Sequence, residues 1–432
     1  MSKKILVIDD SALMRRVISD IINENNDYEV SAIAKDGVEG FEMIVSNPNT
    51  YSAIILDINM PKMNGLELLA ELQRNRIEQT VIVVSTVAKE GAKETIRALE
   101  LGAFDFVTKP ENYLETKSDD FKKRIYDMLN VATSTKATLE RVGANKPSGK
   151  AAPAATVSAA AVTDKTSTFA ERVAARKAAR QAAQSAAAQT AATASKQMRE
   201  TRTAAEDSSE ALLALRRRGE AASEQIVVNA KEFEGVKQGK KKLIALACST
   251  GGPKSLQRVI PYLPKNLDAG MVLVQHMPKG FTQSLAIRLN EISKVTVKEA
   301  ENGDVIQKGW VYIAPGGQHL KVVSKGSSYV IQLSDEPAIE GLRPCANIMY
   351  QSLKNCVVDE LTCVVLTGMG ADGTKGIKEL SEAKKNIYVI AQDEDSSVVY
   401  GMPKAIAQTG LVDEVVTLNQ VATAITKNVG VS

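Results

Sequence analysis

The chain has 432 residues, 44% of them hydrophobic, which is long for one ordinary core and apolar enough for two. Its 54 basic and 51 acidic residues leave a formal charge of +3, which gives no broad basic face for nucleic acid or for a membrane surface. The four cysteines, Cys248, Cys345, Cys356 and Cys363, show neither zinc-ligand spacing nor a disulfide framework.

The opening MSKKILVIDD enters a strand directly, with no signal-peptide apolar region, and no apolar run has bilayer-spanning length. A cytoplasmic protein without membrane insertion is expected. Residues 4–8 form a short apolar strand ending in Asp9 and Asp10. Residues 11–23 follow with helical spacing of Leu13, Met14, Val17, Ile18, Ile21 and Ile22. Further strands are expected at 52–56, ending in Asp57, at 80–84, ending in Ser85 and Thr86, and at 104–108, ending in Lys109 and Pro110. A last helix is expected over 120–129. Strands alternating with helices predict a doubly wound, mostly parallel α/β domain over residues 1–122.

Over residues 133–238 aromatics and large aliphatics nearly vanish, and Ala, Ser, Thr, Lys, Arg, Glu and Gln dominate. A long Ala-rich linker is expected, disordered over 146–161 and helix-prone over 169–231, as a solvated helix or a helix–coil mixture. The alternative is a docking or coiled-coil helix. A second α/β domain is expected over 239–432. Its strand 243–247 leads through Ser249-Thr250-Gly251-Gly252-Pro253 into a helix, and strand 271–275 ends at His276. Strand 361–366 leads into TGMGADG, and strand 387–390 follows.

In open parallel sheets, sites form outside the carboxyl ends of the strands. Asp9, Asp10 and Asp57 all fall there, and three clustered carboxylates repel one another unless a cation joins them. All-oxygen ligation suits Mg²⁺, and one carboxylate could then accept a phosphoryl group. Lys109 could pair with its oxygens, and Ser85 or Thr86 could hydrogen-bond them.

The strings VIDDSALMRR, ILDINMPKMNG, VVST and DFVTKP resemble the response-regulator receiver domain over roughly the first 120 residues. The resemblance makes Asp57 the phosphoacceptor, with Asp9 and Asp10 as metal-site acids and the Asn59 carbonyl as a further ligand. It makes Ser85 the hydroxyl switch, Lys109 the family lysine and Phe106 the switch aromatic. By residue pattern alone, Phe106 could equally be core.

Ser249 follows an apolar strand and precedes small residues that permit a tight turn into a helix, with Pro253 at a first helical position. A helix N-terminus there favours developing negative charge. Ser249 is therefore a candidate nucleophile, or else an N-cap serine. His276 could serve as its base or be a structural histidine. Asp372 could orient the imidazole, or cap a Gly-rich turn. A backbone N–H at Met369 or a neighbour could reach an oxyanion. Cys248, one residue earlier, is expected to face the core.

The strings ACSTGGP, VLVQHMP, GWVYIAPGGQHL and VVLTGMGADGTKG resemble the catalytic domain of chemotaxis protein-glutamate methylesterases (protein-glutamine glutaminases). The resemblance makes Ser249 the nucleophile, His276 the base and acid, and Asp372 the orienting carboxylate, with no cofactor for the ester hydrolysis. Thr250, Met369 and His319 become candidates for the oxyanion site or cleft, though His319 could be structural. The expected substrates are glutamate methyl esters and particular glutamines on methyl-accepting chemoreceptors, and the expected phosphodonor is a chemotaxis histidine kinase. The resemblance also implies that the unphosphorylated receiver covers the cleft. Arg343-Pro344-Cys345-Ala346-Asn347 stands where the family more often reads R-P-S-V-D, a departure expected to touch a cleft wall and none of the three candidate residues. A DNA-binding output is disfavoured, because it needs a helix-turn-helix where this chain has buried strands and Gly-rich strand-end loops.

Overall fold

Segments such as AIILD and VIVVS carry aliphatic side chains on both faces, so they are stable only as inner strands covered from both sides. The structure, a computed structural model, describes residues 2–86, 88–110, 118–134, 241–326, 328–383 and 385–432. The N-terminal domain runs β1 (Lys3–Ile8), α1 (Ala12–Asn23), β2 (Tyr28–Ala34), α2 (Gly37–Ser46) and β3 (Ala53–Asp57). It continues with α3 (Gly65–Arg74), β4 (Val81–Ser85), α4 (Lys89–Glu100), β5 (Asp105–Thr108) and α5 (Asp119–Ser134). The parallel sheet has the order β2-β1-β3-β4-β5. Side chains start the helices. Ser11 accepts from the Met14 N–H, Asp36 accepts from Val38 and Glu39, and Asn64 forms a reciprocal box with Glu67.

In the N-terminal domain two features depart from expectation. The strand β2 is additional; as an edge strand it is only partly buried, so its sequence YEVSAIA never becomes a continuous apolar run. The last helix continues to Ser134, beyond the expected boundary at residue 122, because Phe121, Ile125, Leu129 and Ala132 pack into the domain core.

The C-terminal domain contains β6 (Lys242–Cys248), α6 (Gly252–Val259), β7 (Gly270–Gln275), α7 (Phe281–Ile292), β8 (Thr296–Glu299) and β9 (Trp310–Ile313). There follow β10 (His319–Lys325), β11 (Ser328–Ser334), α8 (Ala346–Ser352), β12 (Glu360–Val365) and α9 (Thr374–Glu382). It closes with β13 (Ile387–Gln392), α10 (Met402–Ala407), β14 (Glu414–Val416) and α11 (Val421–Val429). Seven strands form a parallel sheet in the order β14-β13-β12-β6-β7-β9-β8, while β10 and β11 pair as an antiparallel hairpin. The expected linker lies almost wholly in residues 135–240, outside the described residues.

In each sheet the chain leaves a central strand first to one side and later to the other. This opens a crevice at the carboxyl ends of β1 and β3, and another at those of β6 and β12. The two domains form one compact unit. Helix α4 packs on α7, the Phe106 ring stacks on Phe281 with centroids 4.7 Å apart, and Arg288 pairs with Glu100. Among the described residues no helix is long and apolar enough to cross a membrane.

Candidate active site and acidic pocket

Ser249 is the first residue beyond β6. Its N–H donates to the Thr367 carbonyl, and its own carbonyl accepts from the Gly252 N–H at 2.7 Å, closing a tight turn. Two glycines make that turn possible. Gly251 has φ +76°, and a Cβ on Gly252 would come within 2.0 Å of the Gln275 side chain. The loop after β12 comes equally close, since a Cβ on Gly368 would lie 2.8 Å from the Cβ of Ser249.

Gln275 ends β7 and is buried. Its amide nitrogen donates to the carbonyls of Ser249 and His276, both at 3.1 Å, and its oxygen accepts from the Cys248 thiol at 3.0 Å. It therefore ties the ends of β6 and β7 together. Cys248 faces the core, and burial pushes its thiol far above the ordinary range, so it stays protonated.

His276 Nε2 lies 2.8 Å from Asp372 Oδ2. Asp372 is buried and densely bonded. Oδ2 also accepts from the Ala346 N–H at 2.6 Å, while Oδ1 accepts from the N–H groups of Asn347 and Gly373, both at 2.9 Å, and from the Cys345 thiol at 3.2 Å. Burial would raise this carboxyl, but the hydrogen bond and charge of His276, with the Ala346 and Asn347 N–H groups, outweigh it and lower it to about 2. This corrects the expectation that residues 343–347 touch none of the three candidates. Cys345, Ala346 and Asn347 hold Asp372.

Ser249, Thr250, His276 and Met369 line one cavity of about 210 Å³, whose other wall is Phe106, Arg124 and their neighbours from the N-terminal domain. Met369 is 48% exposed. The Thr250 carbonyl accepts from the Thr367 hydroxyl at 3.0 Å. His319 does not line this cavity; it is fully buried at the start of β10, with Nε2 3.1 Å from the Pro337 carbonyl.

In the N-terminal domain, the carboxylate oxygens of Asp9, Asp10 and Asp57 come within 4.8 Å of one another. Lys109 Nζ bridges Asp9 and Asp57 at 2.9 Å each. Burial raises Asp57, assisted by the Asp9 charge and opposed by Lys109. Burial would lower Lys109, but Asp57 and Asp9 outweigh it and raise it. The all-oxygen donor set fits a hard divalent cation. Asn59 is exposed, and its amide donates to Glu94 at 3.1 Å. The Ser85 hydroxyl is buried and donates to the Gly91 carbonyl in the first turn of α4 at 3.2 Å.

Known proteins align with both halves. The family model for CheB methylesterase matches residues 244–425, and that for the response regulator receiver domain matches residues 5–117. A protein-glutamate methylesterase/protein-glutamine glutaminase of Pyrococcus horikoshii is 34% identical, over 99% of this chain and 93% of its own length. One of Bacillus licheniformis is 35% identical, over 98% of this chain and 97% of its own. The chain belongs to the protein-glutamate methylesterase/protein-glutamine glutaminase family. The crystal structure of the Thermotoga maritima CheB methylesterase catalytic domain is 39% identical, covering 44% of this chain and all of that one, with a TM-score of 0.42.

With the family known, the two halves are a receiver domain and a methylesterase domain. Phe106 is half-buried and belongs to the contact between them rather than to the receiver core. Beside it, Asp105 Oδ2 accepts from the Gly251 N–H at 3.3 Å, in the turn that carries Ser249. Burial raises Asp105 to about 7, against the N–H groups of Phe106 and Gly251. A solvated aspartate titrates near ~4, so the packed state binds an extra proton between these values. The packing is therefore expected to be strongest below about pH 4 and to weaken as pH rises through about 7. Interdomain energy transfer across that range checks this, with Asp105→Asn expected to flatten the response. A wild-type chain with no pH response, or a variant that responds like wild type, would contradict it.

Proposed function

We propose that this chain hydrolyses glutamate methyl esters on methyl-accepting chemoreceptors in the cytoplasm and deamidates particular glutamines there, under control of phosphorylation at Asp57. The observation that carries the reading is the pairing of His276 with a densely bonded Asp372 in a cleft shared with Ser249. The ring nitrogen of His276 not bonded to Asp372 takes the Ser249 proton as Oγ attacks the side-chain carbonyl carbon. The oxyanion forms near the N-terminus of α6, with Thr250 and Met369 on the same cavity wall. The carbon–oxygen bond to the methyl-bearing oxygen breaks, and His276 returns the proton to release methanol. With a glutamine the leaving group is ammonia. Water, deprotonated by His276, then frees the glutamate from Ser249. Asp372 holds the imidazole and offsets its positive charge.

In the receiver, Asp9, Asp10 and Asp57 would hold Mg²⁺, with the Asn59 carbonyl as a further ligand. When bound, the ion offsets charge on the phosphoryl oxygens. Asp57 accepts the phosphoryl group from a chemotaxis histidine kinase. Lys109 and Ser85 then turn to the new oxygens. Ser85 gives up the Gly91 carbonyl, which loosens α4 where it packs on α7, and Phe106 leaves Phe281. The cavity over Ser249 opens to receptor helices.

Methanol release from methylated receptor cytoplasmic fragments tests this, for wild type and Ser249→Ala, each with and without a small phosphodonor and Mg²⁺. Release is expected to need Ser249 and to rise with phosphodonor. Equal release by Ser249→Ala would overturn the assigned nucleophile, and no phosphodonor response would overturn the control.

A further inference from the structure

Asp372 must hold its carboxylate fixed while the charge on His276 appears and disappears. Three backbone N–H groups and His276 account for four of its hydrogen bonds. The fifth comes from a side chain, the thiol of Cys345 at 3.2 Å from Oδ1. Cys345 is 1% exposed and directly precedes α8, the helix whose first two N–H groups also bond to Asp372. Burial, with the Asp372 charge beside it, pushes this thiol up to about 12, so it remains S–H and can only donate to the carboxylate.

We propose that Cys345 is a positioning residue for the hydrolytic reaction, its thiol fixing Asp372 while drawing little charge from it. The proposal rests on the reading above, in which Asp372 serves His276. A thiol is a weak donor. A hydroxyl in its place would hold the carboxylate just as firmly but withdraw more of its charge, and so support the imidazolium less. An alanine would leave more charge on the carboxylate and remove one of the three hydrogen bonds that hold Oδ1, the one from a side chain. The two substitutions therefore move the imidazole titration in opposite directions, which a purely space-filling residue cannot do.

The test compares kcat, KM and the pH dependence of kcat/KM for methanol release in the full-length chain, for wild type, Cys345→Ser and Cys345→Ala, with Ser249→Ala as control. Cys345→Ala is expected to lower kcat about fivefold at unchanged KM. Its acid limb should move up by about half a pH unit. Cys345→Ser is expected to stay within about twofold in kcat, with its acid limb moved down by a similar amount. Acid limbs that coincide in all three, or that move the same way in both variants, would overturn the proposal. If Cys345→Ala fails to fold, a Cys345→Ser acid limb that matches wild type is enough to overturn it. A wild-type chain that releases no methanol, or release that survives Ser249→Ala, would instead sink the underlying reading, and the inference with it.

Discussion

Replacing Asp372 with asparagine is expected to lower kcat for methanol release by about 10⁴-fold, the loss that follows when a histidine base is left in the wrong tautomer. The geometry leaves the amide no good orientation. Every partner of the two oxygens is a donor: the N–H groups of Ala346, Asn347 and Gly373, the Cys345 thiol and the ring of His276. An asparagine keeps one acceptor. With its oxygen at the Oδ1 position, its NH₂ faces the Ala346 N–H and forces His276 to accept rather than donate. Turned the other way, the NH₂ meets Asn347 and Gly373. Either way a buried donor loses its partner, at a cost of about 1–3 kcal/mol. Stability should change too. A carboxyl lowered from 3.8 to about 2 stabilises the folded chain above its unfolded value and loses that contribution as pH falls through about 2. Wild type should therefore lose roughly 2 kcal/mol between pH 5 and pH 2 that Asp372→Asn does not lose. Steady-state rates and melting temperatures against pH check both parts. A variant within tenfold of wild-type kcat would remove Asp372 from the mechanism.

Phe106→Ala is expected to raise methanol release in the absence of phosphodonor by as much as about 30-fold and to shrink the response to phosphodonor correspondingly. Beyond the packing of α4 on α7, three side-chain contacts join the receiver to the esterase domain among the described residues. The Arg288–Glu100 pair is partly solvated and worth at most about 1 kcal/mol. The Asp105–Gly251 hydrogen bond at 3.3 Å is long, and burying the Asp105 carboxylate increasingly opposes the packing as pH rises. The stack of Phe106 on fully buried Phe281 is the apolar anchor, and losing it should cost the closed arrangement about 2 kcal/mol. The rise stops at the fully open rate, which a chain lacking residues 1–134 should show without any donor. Equal basal rates for wild type, Phe106→Ala and the truncated chain would mean that the receiver does not restrain the esterase.

The central strands were legible in the sequence because a parallel strand buried on both faces must carry a continuous apolar run, such as the AIIL of β3 and the LIALAC of β6. The candidate site residues could be singled out because they stand directly where those runs stop: Asp9, Asp57, Ser249, His276 and the glycine loop before Asp372. The structure brings Ser249 and His276 to one cavity and Asp372 to His276 because β6, β7 and β12 are neighbours in one sheet. Edge strands such as β2, β8 and β14 escaped, since half-solvated strands keep polar residues and lose the apolar signature. In the hairpin, β11 alternates but β10 does not, because HLKVVSK sets exposed Val323 beside buried Val322 and breaks the period of two. What no local pattern could carry were contacts between distant residues. Cys345 bonds to Asp372 from 27 positions away, Asp105 to Gly251 from 146 and Phe106 meets Phe281 across two domains. Sequence pattern by itself determined which residues stand at strand ends, because burial dictates composition along a strand. Only tertiary structure decided which of them meet, because hydrogen bonds and ring contacts depend on the order in which strands and domains pack.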